Sequence, residues 1–430
     1  MTGPRSPAVP RARFLTLVAL RWLPTGLLVP VTTLLMLERG LSLPEVGLAV
    51  AAQGLVVFLL ELPTGGLADA LGRRPVLLAA SVASLASLGV LAVADSVWAF
   101  VAVWVVQGVS RALDSGPLEA WFVDAALAAD PRRRMEQDLG LAGTVLGAAL
   151  AAGSLAAGPL VALGPRSIGA TTFSALTVPV LAAFGCGVVH LAAVAILLTD
   201  RRRRPTRREV VGAVPAAMAS ALRRVRHSRV LLGLVGVEIF WGFGMVTFET
   251  LFPVRLADLS GDLARTASLL GPVAAAGWLV NAVGSALAPV LARGSVARLA
   301  FWLRPAQGAT VVAMGLAGGS VGMVAAYLAC YLCHGAADAA HSTLLHREAD
   351  ERNRASVLSL NSLVAQPAFA LGGIALTSLA AAASTSTAIL VGGLVLAAAA
   401  PLYLPARRAE RRTERAPEED GLSADPDWAG

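Results

Sequence analysis

Glu61-Leu-Pro-Thr-Gly-Gly-Leu-Ala-Asp-Ala-Leu-Gly-Arg-Arg74 is a short, charged, glycine-rich turn between two apolar runs at 44–62 and 75–94. A helical crossing of a bilayer takes about 20 mostly apolar residues. Both runs meet that length, so the turn reads as a tight connection between two membrane helices. Gly65, Gly66 and Gly72 permit close backbone approach or positive φ, Asp69 is a fixed negative charge, and Arg73 and Arg74 anchor one membrane face.

The rest of the chain fits this reading. With 56% hydrophobic and 15% charged residues in 430, and a mean hydropathy of +0.69, it has too little polar surface for a water-soluble globule. A net charge of +7 would suit a nucleic-acid partner, but no lysine occurs and the arginines stand in short runs between apolar segments, which is a topology signal. Cys186, Cys330 and Cys333 all fall inside apolar runs, so no disulfide framework is expected. The basic N-terminus (Arg5, Arg11, Arg13) resembles a signal peptide, yet the apolar run continues to Leu37 without a small-residue cleavage site and reads as a retained helix.

Apolar runs lie at 14–37, 44–62, 75–94, 97–118, 139–161 and 175–198, and again at 230–253, 268–291, 299–317, 321–343, 355–379 and 386–404. The expected fold is an all-α membrane protein of twelve transmembrane helices in two six-helix bundles. Its parts are a cytoplasmic N-terminus (1–13), a first bundle (14–199), a linker (200–229), a second bundle (230–404) and a disordered cytoplasmic tail (405–430). The ninth run is the weakest, because Arg304 and Pro305 interrupt it. Arginines cluster in alternate connections (73–74, 132–134, 201–208, 223–229, 293–298, 347–354), leaving Arg39, Arg166, Arg255 and Arg265 to the others. The positive-inside rule therefore puts both termini in the cytoplasm. Within the linker, Val210 to Arg226 has the pattern of an amphipathic helix lying on the bilayer surface.

The two halves also align with one another, which makes the bundles pseudo-symmetric. An offset of 216 pairs Arg13 with Arg229, Trp22 with Glu238 and Gly26 with Gly242. An offset of 227 pairs Gln107-Gly108 with His334-Gly335, Arg111 with Asp338 and Asp114 with His341.

Gly65-x-Leu-Ala-Asp69-x-x-Gly72-Arg73-Arg74 resembles the signature between helices 2 and 3 of the major facilitator superfamily, whose members share the six-plus-six count and cytoplasmic termini. Ala70 departs from it, standing where the family usually has a basic residue, and the second-half counterpart (Leu291 to Arg298) keeps Arg293-Gly294 but lacks the aspartate. The resemblance implies a conformational latch of Gly65, Asp69, Gly72, Arg73 and Asp124. In it, Asp69 meets the positive N-terminal end of helix 11 near Ala355 in the outward-open state, and Arg73 pairs with Asp124. On helix 5, Gly143, Gly147, Gly153 and Gly158-Pro159 resemble the signature of drug and proton antiporters in that superfamily, although Ala162-Leu163 replaces its terminal glycine pair. Plain close packing of small residues is the competing reading.

Ionisable groups at membrane depth are functional candidates by default. Arg21, Arg111, Asp114, Glu238, His334, Asp338 and His341 form the expected proton and substrate cavity, with snorkelling to the cytoplasmic interface an equal alternative for Arg21. Glu238 is the first choice for a proton-titrating acid, since a low-dielectric setting disfavours a charged carboxylate. Arg111 with Asp114, and Asp338 with His341, are spaced three apart and so can neutralise each other on one helix; the sharper reading sets Arg111 against Asp338 across the cavity. Glu61 reads as part of the latch region and Glu249 as an outer gate or interfacial group. Trp22, Gln53, Trp241, Asn281 and Asn361, with Phe248 and Trp278, would line an amphipathic cavity for an organic molecule.

Cys330-Tyr-Leu-Cys-His334 matches a haem-attachment pattern but lies within an apolar helix with no room for a porphyrin, so no cofactor and no metal are expected. Without lysine the chain cannot hold the nucleotide-binding loop G-x-x-x-x-G-K-[ST]. The resemblance thus implies a secondary transporter rather than an enzyme. It would be a monomer in a bacterial plasma membrane, exchanging protons for a small drug-like compound by efflux, with proton-coupled nutrient uptake as the alternative and a non-transporting sensor or enzyme on the same scaffold as the remoter one.

Overall fold

The computed structural model describes residues 8–130, 135–198, 219–220, 222–261, 263–349 and 354–412. Helix 1 runs Ala8–Leu28 and resumes as Thr32–Glu38; helix 2 is Leu43–Leu71, helix 3 Arg73–Val93, helix 4 Val97–Asp114 with a second segment Pro117–Ala129, helix 5 Met135–Ala162 and helix 6 Val178–Leu197. Helix 7 comprises Arg229–Val246, a π turn Thr247–Leu251 and Phe252–Ser260; helix 8 is Leu263–Leu291, helix 9 Val296–Leu316, helix 10 Ser320–Glu348, helix 11 Arg354–Ala382 and helix 12 Thr385–Ala398. Eleven of these, among the described residues, are long and apolar enough to cross a membrane. Helix 9, at 21 residues, is the twelfth, its apolar run diluted by Arg298, Arg304 and Gln307.

Each break in a helix has a local cause and a local remedy. Pro30 has no N–H to give the Gly26 carbonyl, and Ser154 of helix 5 donates to that carbonyl instead, at 3.1 Å. In helix 4, Gly116 takes φ +91° ahead of Pro117, and Thr64 of helix 2 donates to the Ala112 carbonyl at the break, at 2.8 Å. Pro253 interrupts the hydrogen-bond ladder of helix 7, and the preceding π turn absorbs the mismatch. The two loops that the family resemblance equates turn alike, with Gly72 at φ +95° and Gly294 at φ +90°.

Packing repeats between the halves. Helix pairs 1–5, 2–4, 3–4 and 3–6 have counterparts in 7–11, 8–10, 9–10 and 9–12, and the bundles join through 2–11 and 5–8. The aligned glycines take equivalent contacts: a Cβ on Gly26 would lie 2.4 Å from the Leu150 oxygen, and one on Gly242 2.4 Å from the Ala365 oxygen. Arg39 donates to Ala94 O at 2.9 Å, closing the end of helix 3, and Arg255, 216 positions on, donates to Ala317 O at 3.4 Å at the end of helix 9. Cations at helix C-termini are favourable in both charge and hydrogen bonding.

One apolar core draws on both bundles, setting Met36, Val46 and Phe100 beside Phe252, Tyr327 and Leu376, all on the side away from the termini. There the outer segment of helix 1 also meets the last segment of helix 7. Toward the face that carries the termini the cores separate. Phe14, Leu77 and Phe122 belong to one, and Leu231, Leu344 and Tyr403 to another. Among the described residues, the apolar core shared by the two bundles thus lies at the far face.

Two sequence readings change, and a third lies mostly outside the described residues. The connection between helices 5 and 6, read as a loop, holds a small antiparallel hairpin, Arg166–Ile168 with Thr171–Phe173. Of the linker, residues 222–227 are helical, while the proposed amphipathic stretch from Val210 lies mostly outside the described residues. The tail expected to be disordered from residue 405 is helical over 404–412, and residues 413–430 lie outside the description. The physical reason is Glu410. Its carboxylate accepts from Ser295 Oγ at 2.6 Å and from the Ala297 N–H at 3.1 Å, capping helix 9, and meets Arg347 at 3.2 Å.

Glu410→Ala should therefore lose about 1 kcal/mol, the usual worth of a helix cap, read from the thermal midpoint in detergent. Equal midpoints for Glu410→Ala and the parent would show that the segment only rests on the bundle.

Candidate functional site

The densest buried polar cluster lies in the second bundle. Glu238 on helix 7 and His341 on helix 10 are both buried, and His341 Nε2 sits 3.2 Å from Glu238 Oε1. Asn361 Oδ1 on helix 11 is 3.3 Å from the same nitrogen, and the Tyr403 hydroxyl is 2.9 Å from Nδ1. Two oxygen acceptors face Nε2, so that nitrogen carries the hydrogen and Nδ1 accepts from Tyr403. Arg304, 2% exposed, donates to Gln307 Oε1 at 3.0 Å and has Tyr403, Glu238 and Asp338 within electrostatic reach. A buried cation thus faces a buried carboxylate, as low dielectric demands. Asp338 itself is exposed.

The first bundle carries a counterpart of different chemistry. Arg21 on helix 1 pairs with Asp114 on helix 4, their side chains 26% and 12% exposed. Alignment equates Asp114 with His341 and sets Arg21 one residue from the counterpart of Glu238, so each bundle has a polar bridge between equivalent helices at equivalent depth. The pairing expected along helix 4 is corrected here: Asp114 reaches across to Arg21, and the charges near Arg111 are Arg21 and Glu61. Likewise His341 pairs with Glu238 rather than with Asp338. Glu61 accepts from Ser115 Oγ at 3.3 Å. Arg111 and Asp338 are both exposed, and each has its charge neighbours in its own bundle.

Aromatic side chains fill the second bundle beyond this cluster. His334 stacks on Trp241 at 5.7 Å between centroids and 12° between planes, with Phe248 and Tyr331 beside it and Trp278 edge-on to Tyr331. Tyr331 donates to Glu249 Oε1 at 2.7 Å, and Glu249 sits in the π turn, so this acid is held inside the protein near the sealed end. Gln53 and Asn281 occupy matching places, their carbonyls against Gly108 and Gly335. Trp22 lies under the Arg21 guanidinium, 4.9 Å from ring centroid to Cζ.

At the terminal face Arg73 bonds Asp124 and also donates to Ala120 O at 2.6 Å. The side chains of Gly65, Asp69, Ala70 and Ala355 lie outside the described residues, so the expected partner of Asp69 is not among them. The backbone register is described: helix 2 runs antiparallel to helix 11, Gly47 against Gly373 and Gly54 against Gln366. Extending that register brings the end of helix 2 level with the start of helix 11. On helix 5, a Cβ on Gly158 would lie 2.7 Å from the Ser268 oxygen of helix 8, and one on Gly153 2.4 Å from Leu23 O, whereas Gly143 and Gly147 have no close neighbour. Pro159 beside them is exposed.

Sequence reading missed Arg304, Gln307 and Tyr403 as members of the site. Arg304 registered only as an interruption of helix 9, although a lone arginine deep in an apolar run was itself the signal. Gln307 one turn on and Tyr403 ninety-nine positions away carried none.

Residues 14–334 match the sequence profile of the Major Facilitator Superfamily. No curated protein sequence matches the chain. Among solved structures, the fold is similar to that of the nucleoside transporter NupG, with a TM-score of 0.74 at 10% identity, covering 92% of this chain and 98% of that one. It is also similar to a bacterial homologue of the human lysosomal transporter Spinster in an inward-facing, unoccupied conformation, with a TM-score of 0.74 at 12% identity and coverage of 95% and 98%.

Removing one member of the Arg21–Asp114 bridge strands the other in low dielectric. Arg21→Met should cost up to about 3 kcal/mol, the low end for a broken buried pair because Arg21 is partly exposed, and adding Asp114→Leu should restore most of the loss. Thermal unfolding of the three proteins in detergent checks this. A double variant no more stable than Arg21→Met would show that the bridge is not a closed pair.

Proposed function

This chain belongs to the Major Facilitator Superfamily, and from that premise we propose that it is a proton-coupled exporter of a small organic compound. It would work by alternating access, with the terminal face in the cytoplasm. Family membership makes it a transporter rather than an enzyme. The observation that carries the coupling is the contrast between the two bridges. Arg21–Asp114 joins two fixed charges, while Glu238–His341 joins two groups that can gain or lose a proton. When Glu238 takes up a proton it loses its charge and gains an O–H donor, so the hydrogen bond it accepts from His341 is no longer charge-assisted. Helices 7 and 10 are then joined differently in the two protonation states, and a two-state element biased by a proton is what coupling requires.

The shared apolar core at the far face and the exposed Asp338 support reading the terminal face as open to the cytoplasm in this state. Return to the outward-open state closes that face, where Arg73–Asp124 and the Asp69 end of helix 2 form the proposed latch on helix 11. Export as the direction rests on the helix 5 resemblance, with Gly158 letting helices 5 and 8 touch and seal the far side.

Everted membrane vesicles energised by respiration, with a pH-sensitive dye, test the coupling. A transported compound should dissipate the gradient, and Glu238→Gln should abolish the response while leaving folded protein in the membrane. Transport without proton movement would refute the coupling. For the latch, Asp69→Asn should slow transport several-fold and leave substrate affinity within a few-fold. A selective collapse of affinity would place Asp69 in the binding site instead.

A further inference from the structure

We infer that Trp241, His334 and Asn281 form a binding subsite for a neutral, planar heteroaromatic compound whose edge carries a hydrogen-bond acceptor beside a donor. The inference rests on the transport reading above and names the chemical class of the cargo. Three polar atoms on these residues, Trp241 Nε1, His334 Nδ1 and Asn281 Oδ1, are buried without a hydrogen-bond partner. An unmet buried donor or acceptor is costly, so three on adjoining residues call for an occupant that meets them. Gly335, the residue after His334, brings Asn281 to this place. A Cβ there would lie 2.0 Å from the Asn281 carbonyl oxygen, so only glycine lets helix 8 approach so closely.

The atoms dictate the ligand's edge. An indole N–H only donates, so the ligand must offer Trp241 an acceptor; Asn281 Oδ1 accepts and requires a donor; and His334 Nδ1 takes either role. The shape follows from the stacked Trp241 and His334 rings, with Phe248 centred 6.0 Å from His334, which favour a flat aromatic body. Charge is set by Asp338 and Arg304, which act on His334 with opposite sign, and Arg304 is already engaged by Gln307. A neutral ring adds no charge to that opposed pair.

The first bundle supplies a comparison within the molecule. Gln107, which aligns with His334, accepts from Ser87 Oγ at 2.6 Å and so is satisfied inside its own bundle. The first bundle has unpartnered buried atoms of its own, Glu61 Oε2, Trp104 Nε1 and Asp114 Oδ1, but the residue equivalent to His334 is not among them.

Equilibrium binding to the purified full chain in lipid nanodiscs, with no gradient, tests the proposal separately from proton coupling. The probe is 2-quinolone, a planar ring with an N–H beside a carbonyl, set against N-methyl-2-quinolone, which lacks the donor. Saturable 2-quinolone binding about tenfold tighter than that of the N-methyl compound is expected. Trp241→Phe and Asn281→Leu should each weaken it about fivefold or more, with unchanged elution and thermal midpoint as the folding control. Trp98→Phe, the same change at an exposed position, should leave affinity unaltered. Absent binding, equal affinity for the two probes, or indifference to Trp241→Phe in a folded protein would overturn the subsite. If it binds as expected while vesicles show no proton movement, the subsite stands and the coupling fails.

Discussion

Charge placed inside an apolar helical bundle must be answered by another charge or hydrogen bond, and in this protein the answers come from neighbouring helices. Arg21 and Asp114 tie helix 1 to helix 4, and Glu238 and His341 tie helix 7 to helix 10. Arg304 adds a cation beside the second bridge, and Tyr403 brings helix 12 to it through the outer nitrogen of His341. Because the partners sit on different helices, any change in their protonation is also a change in how those helices are held.

Around these bridges the fold is built by close approach. Gly26, Gly153, Gly242 and Gly335 each lie where a side chain would strike the backbone of a neighbouring helix. In lipid, where apolar side chains gain little from leaving their surroundings, such contacts are a principal source of helix association. The same close approach joins the bundles at Gly54, Gly158 and Gly271. An interface of that kind can rock. Among the described residues, its far end is filled by a shared apolar core, while the cores nearer the termini belong to one bundle each.

The repeat connects sequence to this arrangement with unusual directness. Offsets of 216 and 227, read from a few residues, predict that Gly26 and Gly242, and Gly108 and Gly335, make matching contacts, and they do. They also equate Asp114 with His341, the two helix 4 and helix 10 members of the bridges. Partner choice was not legible, however. Spacing of three along a helix made Arg111 and Asp338 natural partners for Asp114 and His341, yet both lose to residues from helices 1 and 7. Side-chain direction across a helix interface is not encoded in the spacing along one helix.

By itself, the sequence determined the membrane setting, the twelve helices, their division into two related halves and the family, because hydropathy, arginine placement and a glycine-charged loop are local properties of the chain. Tertiary structure alone decided that Arg304, Gln307 and Tyr403 belong to the site, that Glu410 holds the last helical segment against helix 9, and that the core shared by the bundles lies at the far face. Each of these depends on residues tens to hundreds of positions apart meeting in a low-dielectric interior, and no run of neighbouring residues records which of many possible partners the packing will bring within reach.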